Sequence, residues 1–162
     1  MNTLRLLAVS APLILSACAL TSQVPAPPAR PAEPASLAGT AWQLAEIQSM
    51  DDAQGTIRPA PDRLYSIRFA ADGSAAFQLD CNRGSARWTA TPAAGSAGGT
   101  LQFSTVALTR AMCAPPALDT RIARDLESVR SYSMRDGTLS MSLMADGGIY
   151  RWTPMVGAAP AP

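Results

Sequence analysis

The side chains best suited to binding chemistry flank two of the three cysteines. They are Asn82 and Arg83, which follow Cys81, and Thr109 and Arg110, which precede Cys113. An arginine guanidinium is a planar fork of donors that can bind a carboxylate or phosphate through two hydrogen bonds. These residues therefore suggest a recognition patch for an anion. The structural alternative is that Asn82 satisfies its own turn and the arginines bond to nearby carbonyl groups.

The composition excludes most kinds of side-chain catalysis. The chain has no histidine and all thirteen of its basic residues are arginine, so Ser-His-Asp, Cys-His and Schiff-base chemistry have no residues to use. A zinc site would need cysteines and carboxylates alone, which is rare. Asp51, Asp52 and Asp62 fit solvated turns better than the spaced carboxylate pair of a glycosidase. The sequence thus predicts no enzyme, no metal and no cofactor, and a net charge of +1 argues against nucleic acid.

The N-terminus resembles the signal segment of a bacterial lipoprotein. One positive charge at Arg5 precedes an apolar run, Leu6 to Leu15, that is well short of the ~20 residues of a membrane-spanning helix. The run ends in Leu15-Ser16-Ala17-Cys18, which resembles a lipobox. That resemblance implies cleavage before Cys18, acylation of this residue and, because Ala19 follows it, delivery to the outer membrane facing the periplasm. The alternative is an ordinary signal peptide in which Cys18 is incidental.

Lipidation of Cys18 would leave two cysteines in an oxidising compartment. Such a pair favours a disulfide between Cys81 and Cys113, which would bring their polar neighbours to one corner of the fold. The alternative is that both are buried, unpaired core cysteines.

The chain divides by composition into four parts. Residues 1–17 are the signal peptide and residues 18–36 are a Pro/Ala-rich linker. Too few apolar residues lie in this linker to offset its ordering entropy, so we expect an extended spacer. Residues 37–154 are long enough for one domain, and residues 155–162 are predicted to be a disordered tail.

Alternating apolar residues predict two β-hairpins in the domain. In the first, Leu64 to Phe69 is joined to the strand through Ala75, Phe77 and Leu79 by the turn Ala71-Asp72-Gly73. In the second, the Asp136-Gly137 turn joins Tyr132 and Met134 to the strand through Leu139, Met141 and Leu143; Asp146-Gly147 then leads to a last strand, Ile149 to Trp152. Trp42, Trp88 and Trp152 are predicted to pack in the core or against the strands, and the alternative is a platform on which a sugar stacks.

One helix is predicted between the hairpins, over Ala117 to Arg130. Leu118, Ile122, Leu126 and Val129 recur at four, four and three residues and form one apolar stripe. The sequence therefore predicts an α+β fold, in which a small, curved, barrel-like antiparallel sheet packs against one main α-helix.

Four motifs together are similar to the META domain of the HslJ-type heat-inducible lipoproteins. They are Leu37 to Leu44, Asp80-Cys81-Asn82-Arg83-Gly84, Leu101-Gln102-Phe103 with Leu108 to Cys113, and the helix with the closing strands Leu139 to Trp152. The chain departs from the family pattern at Asp80, where glycine is usual. We also expect a shortened strand at Ser85 to Trp88 and a loop lengthened by Gly95 to Gly99.

The resemblance implies an envelope lipoprotein associated with stress tolerance, drug resistance or motility, without an established enzymatic activity or ligand. The first hypothesis is a non-enzymatic lipoprotein that supports outer-membrane integrity through contacts with an envelope protein. The alternative is a periplasmic binding module or inhibitor that recognises a small anionic or saccharide ligand.

Overall fold

The computed structural model describes residues 36–50 and 55–155. The predictions for the signal peptide, Cys18, most of the linker, Asp51 and Asp52, and the tail beyond residue 155 lie outside these residues. Within the described ranges, no helix is long and apolar enough to cross a membrane.

The described residues form ten strands and one helix. The strands are β1 (Ala41–Gln48), β2 (Thr56–Ile57), β3 (Tyr65–Phe69), β4 (Ser74–Leu79), β5 (Asn82–Pro92), β6 (Gly98–Phe103), β7 (Ala107–Leu108), β8 (Val129–Arg135), β9 (Thr138–Leu143) and β10 (Ile149–Pro154). The helix α1 spans Asp119–Leu126 and connects β7 to β8.

The sheet closes on itself as an antiparallel barrel. Eight strands follow one another in the order β1, β3, β4, β5, β6, β8, β9 and β10, and β10 pairs again with β1. Trp42 lies opposite Pro154, and Gln48 lies opposite Ile149, in this closing pair. The short strands β2 and β7 add to β1 and β5. Closure removes most of the unpaired edges that an open sheet would present.

The predicted α+β packing is wrong. Strands hold 51% of the described residues and helix only 7%, in a closed eight-stranded barrel. The first strand explains part of the difference, because β1 pairs with both β3 and β10 and thereby closes the sheet. Its apolar alternation is broken between Leu44 and Glu46 by a bulge, after which Ile47 takes the buried position.

The helix is shorter than its apolar stripe suggested. It ends at Leu126, and the next two amides, of Glu127 and Ser128, bond back over three residues in a closing turn. Val129 continues the helical spacing by coincidence, since it begins β8 opposite Leu143. The predicted helix was therefore too long, because its apolar stripe runs from the helix into the following strand.

Both predicted hairpins are confirmed by the pairing of β3 with β4 and of β8 with β9. The strand after Gly84 is not shortened: β5 has 11 residues and is the longest strand described. Gly98 and Gly99 belong to β6 rather than to a lengthened loop. A Cβ on either glycine would collide with the backbone of a neighbouring strand, so this tightly packed part of the barrel requires glycine.

The barrel interior is filled by side chains. The largest of those that are almost fully buried are Trp152, Tyr65, Phe69, Leu37, Ile47 and Ile67. Trp42 is also buried, whereas Trp88 is half-buried and packs edge-to-face on Phe69 with ring centroids 5.1 Å apart. Trp42 and Trp152 therefore lie in the core and Trp88 packs against it, which confirms the prediction of core or strand-packing residues.

The barrel has two different ends. The terminal end holds Ser36, the start of β1 and the end of β10, together with the β3–β4, β5–β6 and β8–β9 turns. The helical end holds the β4–β5 and β9–β10 turns and α1, which lies across it with Ile122 and Leu126 buried. Candidate recognition residues from the sequence all lie at the helical end.

Candidate recognition surface at the helical end

The tight β4–β5 turn sets the position of the first cysteine. Asp80 has φ +57°, in the left-handed region that favours glycine, which explains why glycine is usual here. Its carboxylate pairs with Arg63, and both side chains are largely buried. The turn is thus formed without glycine, with the Asp80 side chain held by Arg63.

Cys81 and Cys113 are joined by a disulfide with Cα atoms 5.5 Å apart. The bond links the β4–β5 turn to the segment that leads into α1, 32 residues along the chain. It thereby brings the polar neighbours of both cysteines to one corner of the fold.

Asn82 is the centre of this corner. It is 1% exposed, and its amide nitrogen donates to the Ala111 carbonyl and to Asp119 Oδ2, each at 2.9 Å. Its Oδ1 accepts from Thr109 Oγ1 at 2.7 Å and from the Ala111 amide at 2.8 Å. A buried side chain whose donors and acceptors are all used holds the 109–111 segment and the first residue of α1 in place.

Close approach of two strands completes the corner. The Thr109 amide donates to the Arg83 carbonyl, and the Arg83 amide donates to Thr109 Oγ1. Gly84 lies opposite Leu108, and a Cβ on Gly84 would be 2.9 Å from the Ala107 carbonyl oxygen. Only glycine therefore lets β7 lie this close to β5.

Two tyrosines fix the helix on the barrel. The helix has no side-chain N-cap, and the amide of Leu118 donates instead to the Tyr65 hydroxyl at 3.1 Å. Near the other end of the helix, the Tyr150 hydroxyl donates to Asp125 Oδ2 at 2.7 Å. Burial, followed by this hydrogen bond, raises the pKa of Tyr150 far above its usual range, so the phenol stays protonated as a donor.

A cleft of about 530 Å³ opens between α1 and the segment from β7 to residue 111. Val106, Leu108 and Ala123 supply its half-buried apolar wall. Arg110 and Arg124 lie on its exposed rim. Such a lining combines apolar surface with charged groups that could orient a ligand.

The structure separates the four predicted recognition residues by role. Asn82 and Thr109 line the cleft, but their side chains are engaged by the protein itself. Arg110 also lines the cleft and has no hydrogen-bond or ion-pair partner within residues 36–50 and 55–155. Arg83 lies beside a separate, shallow depression, where its Nε donates to Gln78 Oε1 at 3.2 Å. Of the four, only Arg110 combines a place at the cleft with a free guanidinium.

Sequence reasoning missed several residues that shape this surface. Asp119 and Tyr150 gave no sequence signal, because their roles depend on contacts with residues 37 and 25 positions away. Met112 was visible within the Thr-Arg-Ala-Met-Cys motif, and the structure leaves it 100% exposed. Its place two residues after Arg110 and directly before Cys113 was the signal available in the sequence.

Among the described residues, no three histidine, cysteine, aspartate or glutamate side chains gather as a group that could hold an ion.

Comparisons with known proteins identify the family of the domain. One solved structure that matches is that of a DUF4847 family protein from Bacteroides vulgatus, at 13% identity and a TM-score of 0.49, covering 72% of this chain and 93% of that chain. No curated protein matches the sequence. The META domain model matches residues 35–153, which include the four motifs that resemble this family. The chain therefore belongs to the META domain family.

Proposed function

We propose that the chain is a non-enzymatic lipoprotein of the outer membrane that binds another envelope protein and thereby supports envelope integrity or tolerance of stress and antibiotics. Acylated Cys18 is its anchor, and the barrel faces the periplasm. The observation that carries the proposal is the exposed pair Arg110 and Met112 on a segment that the fold holds in place.

The 109–113 segment is fixed on both sides. Asn82 binds the backbone of Ala111, and the disulfide holds Cys113. A loop that is already ordered loses little entropy on binding, which favours affinity. Methionine adapts its shape to different apolar partners, and arginine is enriched among residues that dominate interface energies. A fully exposed methionine beside a free arginine is therefore suited to a protein contact.

The position of this segment also supports the proposal. Ser36 lies at the terminal end of the barrel, and the 109–113 segment lies at the helical end. Ser36 lies 18 positions after Cys18, a stretch that at full extension reaches at most about 60 Å. A tether attached at the terminal end leaves the helical end free to meet a partner in the periplasm.

Complementation of a deletion strain tests this function. We expect loss of the protein to lower survival of heat and of novobiocin, and the wild-type gene to restore it. Cys18→Ser should fail because the protein is no longer anchored, and Arg110→Glu with Met112→Glu should fail because the contact is lost. Arg135→Glu, an exposed change at the terminal end, is the matched control and should restore survival. Wild-type survival of the deletion strain under both stresses would contradict the proposal.

The cleft favours one second candidate, a binding module for a small anionic ligand. Arg110 and Arg124 on its rim present guanidinium groups to the same opening. Isothermal titration with citrate should then show saturable binding that Arg110→Ala weakens without lowering the melting temperature. Arg83→Ala, on the far side of β7, is the control and should bind as wild type. Equal binding by both variants would remove this candidate.

A further inference from the structure

One edge of β7 carries backbone groups that no strand uses. Gly84 pairs with Leu108 and Ser85 with Ala107, and the Thr109 amide donates to the Arg83 carbonyl. In an antiparallel ladder, alternate residues turn their N–H and C=O groups towards the neighbouring strand. Because Thr109 faces β5, the backbone groups of Leu108 and Arg110 point away from it.

The outer edge of β7 borders the cleft. Within residues 36–50 and 55–155, β5 is the one strand that pairs with β7, so the outward groups of Leu108 and Arg110 have no strand partner. The amide of Val106 is instead bound by Glu127 Oε1 at 3.1 Å, which closes this edge on its N-terminal side. Two successive outward-facing residues thus present an open stretch of strand edge to a cavity of about 530 Å³.

The side chains around this edge are suited to an extended peptide. Residues of a strand alternate between its two faces, so an added peptide would place every second side chain against the apolar wall formed by Val106, Leu108 and Ala123. Nothing in the described residues covers that wall at the cleft opening.

The charges around the cleft favour an acidic peptide. Asp119 and Glu127 also line the cleft and keep their negative charges, but Asp119 is buried against Asn82, and Glu127 is bound at the Val106 amide, four residues from Arg110. Arg110 has no partner in the described part of the chain, and Arg124 contacts Asp125 while its side chain remains 75% exposed. A carboxylate on the peptide would meet these two guanidinium groups.

We propose that an extended, acidic segment of the partner protein adds to β7 as a strand. Its backbone binds the N–H and C=O groups of Leu108 and Arg110, an acidic side chain binds the Arg110 guanidinium, and Met112 provides apolar contact beyond the end of the strand. This assignment rests on the proposed partner-binding function and names the site and the chemistry of the partner.

Selection of peptides on the acylated full chain in detergent tests the proposal. The probe is a library of phage-displayed random dodecapeptides, and we expect enriched sequences in which an aspartate or glutamate lies among β-branched residues. Binding of a synthetic enriched peptide should slow hydrogen exchange of the Leu108 and Arg110 amides by at least about tenfold, read by NMR. The amides of Thr109 and Ala111 should not change, because they are already bonded within the fold.

Matched variants separate the edge from the rest of the surface. Arg110→Glu should weaken peptide binding by at least about tenfold, as expected when attraction becomes repulsion. Arg83→Glu reverses an arginine on the other side of β7 and should leave affinity unchanged.

Three results would overturn the inference. They are a library without enrichment, enriched peptides that leave the Leu108 and Arg110 amides unprotected, and a concentration-dependent dimer that protects the same amides. The last would assign the edge to a second copy of the chain. The peptide experiment can fail while wild type complements the deletion and the Arg110/Met112 variant does not. In that case the proposed function stands and only the strand-addition site is removed.

Discussion

The two ends of the barrel are closed in different ways. At the terminal end, the β3–β4 turn is closed by a near neighbour: the Ser74 amide and hydroxyl both donate to Asp72 Oδ1, two residues away. At the helical end, the buried Asn82 side chain bonds to residues far apart in sequence, such as Asp119, 37 positions away. Local bonds can form as each turn forms, whereas the distant ones require the whole barrel.

The difference between the two ends indicates which end can hold a binding surface in place. At the terminal end, the 36–40 segment is held by the burial of Leu37 and by the bond from the Gly39 amide to the Phe69 carbonyl. The helical end uses a disulfide and a buried amide to fix an exposed segment that has little regular structure of its own. We therefore expect changes at the helical end to cost more stability and to alter the candidate surface, and changes at the terminal end to do neither.

The largest effect is expected from loss of the disulfide. Replacing Cys81 and Cys113 together by serine should lower the free energy of unfolding by about 3–4 kcal/mol, from the chain entropy released by opening a loop of this length. Thermal unfolding of the double variant, compared with wild type under oxidising and reducing conditions, checks it. An unchanged melting temperature in both comparisons would mean that the bond does not hold this end together.

Asn82→Ala is expected to rank next, at about 2–3 kcal/mol, because it removes the donor to the buried Asp119 carboxylate and the acceptor for two further groups. Denaturant unfolding measures the loss. Asp72→Ala, which removes an exposed turn carboxylate at the terminal end, is the control and should have a clearly smaller effect. Equal losses from the two variants would contradict the contrast between the ends.

Tyr150→Phe should cost about 1–2 kcal/mol, since it removes one hydrogen bond to a carboxylate while keeping the ring packed. The helix should then exchange its amide hydrogens faster while the barrel strands stay protected. Faster exchange spread evenly over barrel and helix would show that the Tyr150–Asp125 bond does not act on α1 in particular.

The smallest effect is expected from a change of pH. Stability should change little near neutrality and should fall at alkaline pH. Burial raises the pKa of Tyr65, Tyr132 and Tyr150 above the usual value for a phenol. Because ionising these buried phenols disfavours the folded state, their contribution to stability is fully present below the unfolded pKa of about 10. It is lost as the pH rises towards the folded-state values. Without histidine, we expect little change between about pH 6 and 9. Unfolding curves from pH 6 to 12 check this, and a loss of stability near pH 7 would contradict it.

The hairpins and the core were predictable because their signals are local. Alternating residues in β3, β4, β8 and β9, with turn residues between them, specify both pairing and inward faces. Closure of the barrel was not predictable in this way. The bulge in β1 breaks its alternation, and the pairing of β1 with β10 joins strands more than a hundred residues apart.

The candidate site was predictable in place but not in detail. The motifs around the cysteines brought attention to Asn82, Arg83, Thr109 and Arg110, and the structure brings three of them to one cleft. The sequence could not show that the side chains of Asn82 and Thr109 are hydrogen-bonded within the fold, since their partners lie 26–37 positions away. Nor could it show which side of β7 each arginine occupies, because that depends on the register between β5 and β7.

Binding of an envelope protein at the helical end is tested most directly by photo-crosslinking in living cells from two positions of the anchored protein. A photoreactive amino acid at position 112 lies at the helical end, and one at position 135 lies at the terminal end. We expect one recurrent crosslinked envelope protein from position 112, lost in the Arg110→Glu background, and no product from position 135 that is shared with position 112. The same products from both positions, or no product from position 112 at rest and under heat stress, would contradict it.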